Sequence, residues 1–275
     1  MKDRIKKYLI ILLAAAWGVG CDTDEGIRLQ TDQSFEGEEM YMVSKLLDEH
    51  LPFVLQRQTF FVGDDPTKLL PDCPTITIHD QTGDVELVFS QQAACETSSN
   101  KRRGKISIHY SKAPLAIGDS VVISFDNYSF ENHQVVGTRK FRLVGLNRER
   151  RFFEEFTQDL LITTPQNHST RIHVGYMYEL LETGGRIFKI TGNGTAQGRN
   201  RGGRNFEAEI LENKIYDSNC LNQPLLRPTS GVESWVIGRT STRNINHRQT
   251  FHDEGGCTTH TLIRLDEGVE MKKTP

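Results

Sequence analysis

The stretch Gly104-Lys105-Ile106-Ser107-Ile108-His109-Tyr110 decides the fold. In it, Lys, Ser and His alternate with Ile, Ile and Tyr. Successive side chains of a β-strand point to opposite faces, so this run predicts a strand with one buried and one hydrated face. Strands of a parallel sheet are instead apolar on both faces. The stretch therefore favours an antiparallel β protein over a parallel α/β fold.

The same pattern recurs along most of the chain after Cys73. Short β-rich runs between Gly, Asn and Asp predict strands at 75–78, 85–89, 104–110, 120–130, 137–144, 171–181, 186–192, 205–211, 232–238 and 258–265. Residues 150–161 are predicted to form either a second short helix or a further strand with a wide loop. Roughly ten to fourteen strands predict an all-β domain over residues 73–270, an antiparallel sandwich or a strongly curved meander.

One short helix is predicted before the β domain. Its apolar residues recur at helical spacing: Met40, Val43, Leu46 and Leu47. The helix is expected to run from Glu36 to Leu51, to end at Pro52 and to pack against the β domain, with a partner-binding surface as the alternative. It belongs to a helix-and-linker segment, residues 36–72. Residues 21–35 are polar and acidic and predict a flexible tether.

The first 20 residues predict a cleaved signal peptide. Basic residues come first, and the apolar stretch from Tyr8 to Gly20 has thirteen residues. A membrane-spanning helix needs about 20 apolar residues, whereas a signal-peptide core needs about 7 to 15. Cleavage would leave 29 Lys plus Arg and 35 Asp plus Glu, hence a net charge of −6 instead of −3. This composition excludes a multi-span transporter and a nucleic-acid binder recognised by gross charge.

Gly18-Val19-Gly20-Cys21 resembles a bacterial lipobox, in which the cysteine becomes the lipidated N-terminus. An ordinary secretory signal followed by a chance cysteine is the alternative. The acidic run 22–25 is similar to the surface-export signal of Bacteroidota lipoproteins. These resemblances imply a lipid anchor at Cys21 and an outer-membrane lipoprotein exposed at the cell surface, with a periplasm-facing anchor as the alternative.

The four remaining cysteines predict disulfides, because an exported chain meets oxidising conditions. Three pairings are open. We favour Cys73 with Cys95 and Cys220 with Cys257, since each pair brackets a similar pattern with Phe six residues before the second cysteine. Free thiols and a metal site are the alternatives. The chain has no C-x-x-C, and His247, His252 and His260 lack zinc-ligand spacing, so no metal or cofactor is expected.

An ordered set of blocks carries a family resemblance over about residues 71–268. The blocks are Cys73-Pro74-Thr75-Ile76-Thr77-Ile78, Cys95 with Arg103-Gly104-Lys105-Ile106, Ile123-Ser124-Phe125-Asp126-Asn127-Tyr128, Val136-Gly137-Thr138, Cys220 with Pro228-Thr229-Ser230-Gly231, and Phe251 before Gly255-Gly256-Cys257. They resemble the uncharacterised β-rich lipoproteins of Bacteroidota. The resemblance implies an exported, lipid-anchored β protein and no particular activity.

Two motifs resemble catalytic or phosphate-binding loops. Gly118-Asp119-Ser120 is similar to the nucleophile block of GDS-type esterases, but the late Asp-x-x-His of that family is missing and a strand pattern follows. We therefore predict a turn. The glycines of 192–198 lack the G-x-G-x-x-G spacing and a following helix, and are predicted to be loop or bulge glycines. No catalytic residue is assigned.

Basic residues supply the candidate ligand contacts. Lys101, Arg102, Arg103 and Lys105 form one cluster, and Arg199, Arg201 and Arg204 form a second. They suit anionic sugars or lipid head groups, and solvated hairpin tips are the alternative. Four aromatics are expected in the core rather than in a sugar-stacking platform: Tyr128, Tyr176, Tyr178 and Trp235.

Together these features predict a non-catalytic binding or structural protein at the cell envelope. The membrane, through the lipid on Cys21, is one expected partner, and a glycan or a surface protein is the other; nucleic acid is not expected. The alternative is a surface hydrolase that acts on a polymer, either a glycan or an ester.

Overall fold

A computed structural model describes residues 23–63, 66–79, 82–90, 99, 101–217, 220, 226–240 and 243–274, with side chains from residue 32 onward. The chain divides at Glu36 into two compact units, and the sheet belongs to the second, Gly37–Pro275. Within the described residues, no helix is both long and apolar enough to span a membrane. Cys21 lies outside the described residues, so its lipidation stays a prediction.

Among the described residues, four helical segments precede the sheet: α1 (Thr23–Glu49), α2 (Leu51–Val54), α3 (Gln58–Val62) and α4 (Pro66–Leu69). Helix α1 begins at Thr23 rather than at the predicted Glu36, so helix extends into the segment predicted to be a tether. Apolar periodicity cannot detect such a polar start. Pro52 does not end α1 but lies in the first turn of α2, where its missing N–H is not needed.

The part of this region that the structure describes contains fifteen strands: β1 (Thr75–His79), β2 (Asp84–Phe89), β3 (Arg102–Tyr110), β4 (Ser120–Phe130), β5 (His133–Val136), β6 (Thr138–Leu146), β7 (Arg150–Glu155), β8 (Thr157–Thr163), β9 (Ser169–Thr183), β10 (Arg186–Arg199), β11 (Asn205–Asp217), β12 (Ser230–Gly238), β13 (Asn244–Asp253), β14 (Thr259–Arg264) and β15 (Glu270–Lys273). The ten predicted strands are confirmed. Residues 150–161 form strand rather than a second helix. β5, β13 and β15 were not predicted.

All strands belong to one antiparallel sheet, so the meander is observed and the sandwich is not. Strands β5 and β6 are two parts of one strand broken at Gly137, because β4 pairs with both of them. Likewise, β7 and β8 are broken at Phe156 and both pair with β9. If β5 with β6, and β7 with β8, are each counted as one strand, every strand pairs with the next one along the chain. The stretches that the two predicted cysteine pairs bracket, 73–95 and 220–257, therefore contribute strands to one sheet.

The sheet curves around the end of α1 and the turn that follows. Every residue from Val43 to Leu55 is buried. This segment contacts strands that are far apart in the sheet: Glu49 binds Arg102 of β3 at 2.7 Å, the Leu47 carbonyl accepts from Arg139 of β6 at 2.7 Å, and Ser44 binds Glu233 of β12 at 2.8 Å. One helix can reach all three strands only if the sheet wraps around it, which is the predicted strong curvature.

The interior contains paired charges as well as apolar side chains. Lys214, only 1 % exposed, lies 3.3 Å from Asp48 and 3.0 Å from Glu233. Burial lowers the pKa of Lys214, but the two carboxylates outweigh it and the net shift is upward. The guanidinium of Arg139 binds both oxygens of Glu155 at 2.8 Å. Such pairing offsets the desolvation of ions that would otherwise not be buried.

The four aromatics named above lie in this interior, as predicted. Each has at most 2 % of its surface exposed: Tyr128, Tyr176, Tyr178 and Trp235. Their polar groups bind buried carboxylates; for example, the Trp235 indole N–H donates to Glu233 at 3.0 Å. These rings are therefore core residues and do not form a sugar-stacking surface.

The disulfide between Cys220 and Cys257 is present, as predicted. It ties the segment before β12 to the turn before β14. Cys73 is also disulfide-bonded. Its predicted partner, Cys95, lies outside the described residues, so that pairing stays a prediction.

Candidate functional site

The four basic residues predicted as ligand contacts do not form one surface. Arg102 is 2 % exposed, and its guanidinium binds Glu49 at 2.7 Å and Asp72 at 2.8 Å. It therefore joins α1 to the sheet and is not available as a surface ligand contact. The alternation of Ile106 and Ile108, continued four positions toward the N-terminus, would have placed Arg102 inside.

The other two β3 cations are on or near the outer face. Arg103 is exposed, and Lys105 pairs with Glu86 at 3.1 Å and with Asp126 at 3.6 Å. Both belong to β3, which lies between β2 and β4. Because Arg102 lies on the opposite face of the sheet, the four basic residues do not form one cationic site.

Lys101 has a different environment, just before β3. Its ammonium and that of Lys45 from α1 both bind the carboxylate of Glu131, which lies in the turn after β4. The Lys45–Glu131 distance is 2.7 Å. The sequence did not predict this contact, since Lys45 lies 56 positions before Lys101 and interrupts the apolar face of a helix.

A large depression lies on the outer face of the sheet and crosses β8 to β12. It consists of two adjoining parts of about 1010 Å³ and 680 Å³, which share His173, Gln197, Glu207 and Val236. We call the two parts together the outer groove. Five strands spaced about 4.8 Å apart make it about 19 Å across, long enough for an extended ligand.

Small outward-facing residues form the floor of the outer groove. Gly175 of β9 is opposite Thr195 of β10, and Ser234 of β12 lies beyond Glu209 of β11 in the same row. Large side chains at these positions would fill the depression. The groove therefore follows from residue size at aligned positions of neighbouring strands.

The glycines of 192–198 form a bulge within β10, as predicted. The register shifts between Gly192 and Gly194. A Cβ atom at Gly194, where φ is +127°, would lie 2.3 Å from the Gly175 carbonyl oxygen. Glycine is therefore required here by the close approach of β9.

The side chains around the groove differ in charge from one end to the other. Arg171, Arg199 and Arg201 line one part, and Glu154 and Glu209 line the other. His173 and Gln197 line both parts, and the hydroxyl of Ser234 lies in the acidic part. The groove thus offers both donors and acceptors along its length.

Two of the three arginines in the second predicted cluster, Arg199 and Arg201, line the groove. Arg201 is held in place, since its backbone N–H donates to the Glu39 carboxylate at 2.7 Å and its side chain lies 3.3 Å from the same group. Burial lowers the pKa of Arg201, and Glu39 acts in the opposite direction. Arg204 follows in the β10–β11 turn, so this cluster lies at a hairpin tip.

One aromatic ring lies at the acidic part of the groove. Phe156, at the break between β7 and β8, is 40 % exposed. The guanidinium carbon of Arg142 lies 5.5 Å from the ring centroid. The break in the strand places this apolar side chain on the surface, where it offers a flat contact to a ligand.

The esterase-like block forms a turn, as predicted. Gly118 has a φ of +97°, the Asp119 carboxylate accepts from the Ala116 N–H at 2.7 Å, and Ser120 begins β4. The Asp119 side chain thus stabilises its own turn. Among the described residues, no group of three or more His, Cys, Asp or Glu is placed to hold a metal ion.

Comparisons of the chain with protein-family models, with curated proteins and with solved structures found no match. The resemblance to Bacteroidota lipoproteins therefore stays a prediction.

Proposed function

We propose that the chain is a lipid-anchored protein of the cell envelope that binds a glycan along the outer groove without cleaving it. The groove carries this proposal, because it is a long, open depression lined by polar side chains rather than an enclosed apolar pocket. The basic first residues, the short apolar stretch and Cys21 support the location.

The lining suits a ligand that is rich in hydroxyl groups. A sugar hydroxyl donates one hydrogen bond and accepts others, and the amide of Gln197, the ring of His173 and the carboxylate of Glu207 together satisfy both needs. Ordered water can bridge the wider parts of such an open site. The exposed ring of Phe156 adds an apolar contact for the face of a sugar ring.

The alternative function is a surface hydrolase that acts on a glycan or an ester. Glycoside hydrolysis uses two carboxyl groups on either side of the scissile bond. Glu207 and Glu209 are the acidic pair that the outer groove would offer to such a reaction. We propose binding without catalysis because no nucleophile, base and orienting acid could be assembled from the sequence.

A larger side chain at the floor of the outer groove tests the binding proposal. A Cβ atom at Gly175 would have only the Thr195 carbonyl oxygen near it, at 3.7 Å, so a side chain fits without strain. We expect the full chain, purified in detergent, to bind one class of glycan on an array. Gly175→Gln should weaken that binding at least about tenfold, or 1.4 kcal/mol.

Met177→Gln is the matched control, because Met177 is the next outward-facing residue of β9 and does not line the groove. It should bind as the wild type does. Equal glycan binding by the wild type and both variants would show that the outer groove is not the binding site. Release of shorter products from any bound glycan would instead support the hydrolase, and Glu207→Gln and Glu209→Gln would then test its carboxylates.

The location is tested separately. Cells that express the chain should incorporate labelled palmitate into it, and Cys21→Ala should abolish both the label and membrane retention. Protease treatment of intact cells should degrade a surface-exposed protein and spare a periplasm-facing one. Membrane retention of the unlabelled Cys21→Ala variant would show that the anchor is not a lipid on this cysteine.

A further inference from the structure

A buried arginine beside α1 has unused hydrogen-bonding capacity. Arg227 lies in the buried segment 226–228 before β12 and is 7 % exposed. Among the described residues, neither its Nε nor its Nη2 has a hydrogen-bond partner. Its guanidinium carbon lies 5.6 Å from the centroid of the Tyr41 ring. A buried donor without a partner destabilises the folded protein, and more so when it is charged.

The two unused donors belong to the same edge of the guanidinium. Nε–H and one N–H of Nη2 point in parallel, which is the arrangement that binds two oxygens of one carboxylate or phosphate group. A single oxyanion in front of this edge would satisfy both. Water molecules could accept these two hydrogen bonds, but they would not neutralise the positive charge of Arg227.

Charges of both signs lie near Arg227. Lys45 is 5 % exposed, and its ammonium lies 5.7 Å from the centroid of the Tyr41 ring that Arg227 also contacts. Lys45 and Lys101 share the single carboxylate of Glu131. We call Lys45, Lys101, Glu131 and Arg227 the helix-side cluster; three cations and one anion give it a net charge of +2.

Both burial and the charges of this cluster affect the pKa of Lys45. Burial lowers the pKa of Lys45 to about 8, and Arg227 adds to this effect, while Glu131 opposes it. An anion bound between the two cations would raise this pKa again. Asp48, the next carboxylate toward the interior, already accepts from Lys214 and from Tyr216 at 2.7 Å.

We propose that the helix-side cluster binds a doubly charged oxyanion of the phosphate type through the Nε and Nη2 edge of Arg227 and the ammonium groups of Lys45 and Lys101. The net charge of the cluster matches a phosphate monoester or inorganic phosphate better than a singly charged carboxylate. This site is distinct from the outer groove, because none of its residues lines that groove.

The test uses the full chain in detergent and inorganic phosphate, with sodium chloride at equal ionic strength as the reference. A ligand that binds only the folded state raises the unfolding temperature as its concentration increases. We expect phosphate and methyl phosphate to raise it. Acetate and dimethyl phosphate, which carry one charge, should have much smaller effects.

Three variants locate the effect. Arg227→Met removes the oriented edge, so it should abolish the response to phosphate without lowering stability in its absence. Lys101→Met removes the more exposed cation and should weaken binding about tenfold, the loss of about one charged hydrogen bond. Lys105→Met, outside the cluster, should respond as the wild type does.

Other outcomes would overturn the proposal. A wild-type chain that does not respond to phosphate has no such site. An equal response in Arg227→Met places the anion elsewhere. If Arg227→Met fails to fold, Arg227 has a structural role and Lys101→Met becomes the deciding variant. An unchanged phosphate affinity in Lys101→Met would then show that phosphate does not bind at the helix-side cluster.

Discussion

A single buried ion pair makes the stability of this domain depend on pH. Glu49 accepts from Arg102 at 2.7 Å and from the hydroxyl of Tyr128. Burial alone would raise the pKa of Glu49, but the charges of Arg102 and His50 and the hydrogen bonds outweigh it and lower the pKa to about 2. The carboxylate is therefore charged in the folded protein down to acidic pH.

A pH series of unfolding experiments tests this residue. Since the folded-state pKa of Glu49 lies below its usual value of 4.5, its stabilising effect is complete above that pH and is lost as the pH falls toward 2. We expect the wild type to lose about 3 kcal/mol of unfolding free energy over this interval that Glu49→Gln does not lose. Glu49→Gln should itself be less stable at neutral pH, because Arg102 loses a charged partner. Parallel pH curves for the two proteins would contradict the assignment.

Sequence patterns predict some of these residues and not others. The alternation of β3 contains enough information to place Arg102 inside. Arg227 lies outside every strand, so no periodicity applies to it, and its burial depends on how the segment before β12 packs. The partners of Lys101 were not predictable for the same reason, since they come from a helix and a turn.

At the scale of the elements, one bulge shapes β3 and β4. Between Arg103 and Lys105 the register shifts, and β4 contributes the extra residue, Asn127, at a φ of +49°. Gly104 faces it at a φ of +84°. A Cβ atom at Gly104 would lie 2.2 Å from the Asn127 carbonyl oxygen, so a side chain would collide with backbone.

Replacing two glycines by alanine, one at a time, distinguishes the cost of this collision from the cost of backbone strain. Gly104→Ala should lower the unfolding free energy by about 2 to 4 kcal/mol, from the left-handed conformation and the contact together. Gly203 has a similar φ of +78° but no atom within 4 Å of its would-be Cβ, so Gly203→Ala should lose only about 1 kcal/mol. Urea denaturation measures both. Equal losses would show that the bulge tolerates a side chain.

The strands that sequence analysis missed have a physical explanation. In β13 the buried positions include His247 and Gln249, both 0 % exposed, so the apolar alternation is broken on the inward face. The Gln249 amide donates to Glu233 at 2.6 Å inside the sheet. A polar residue bound to a partner from another strand leaves no signal in a one-dimensional pattern. The polar start of α1 was missed for a related reason.

At the scale of the whole molecule, a disulfide closes the last part of the sheet. Cys220 and Cys257 enclose a 37-residue separation that contains β12 and β13. Removing a cross-link of this length is expected to lower the unfolding free energy by about 4 kcal/mol in the chain-entropy model. The variant with Ser at both positions tests this by urea denaturation. Reductant is unsuitable because it would also reduce the disulfide of Cys73, and an unchanged midpoint would contradict the prediction.

The buried end of α1 has a consequence for the order in which the chain can fold. Ser44 and its partner Glu233 are separated by 189 positions, and Asp48 and Lys214 by 166. Contacts of such high sequence separation make folding slow. Synthesis produces the helix first, yet its charges remain unbalanced until β11 and β12 are available. A chain that ends before β12 would keep Lys214 and Asp48 without Glu233, and we expect such truncated products to be removed by proteases instead of accumulating.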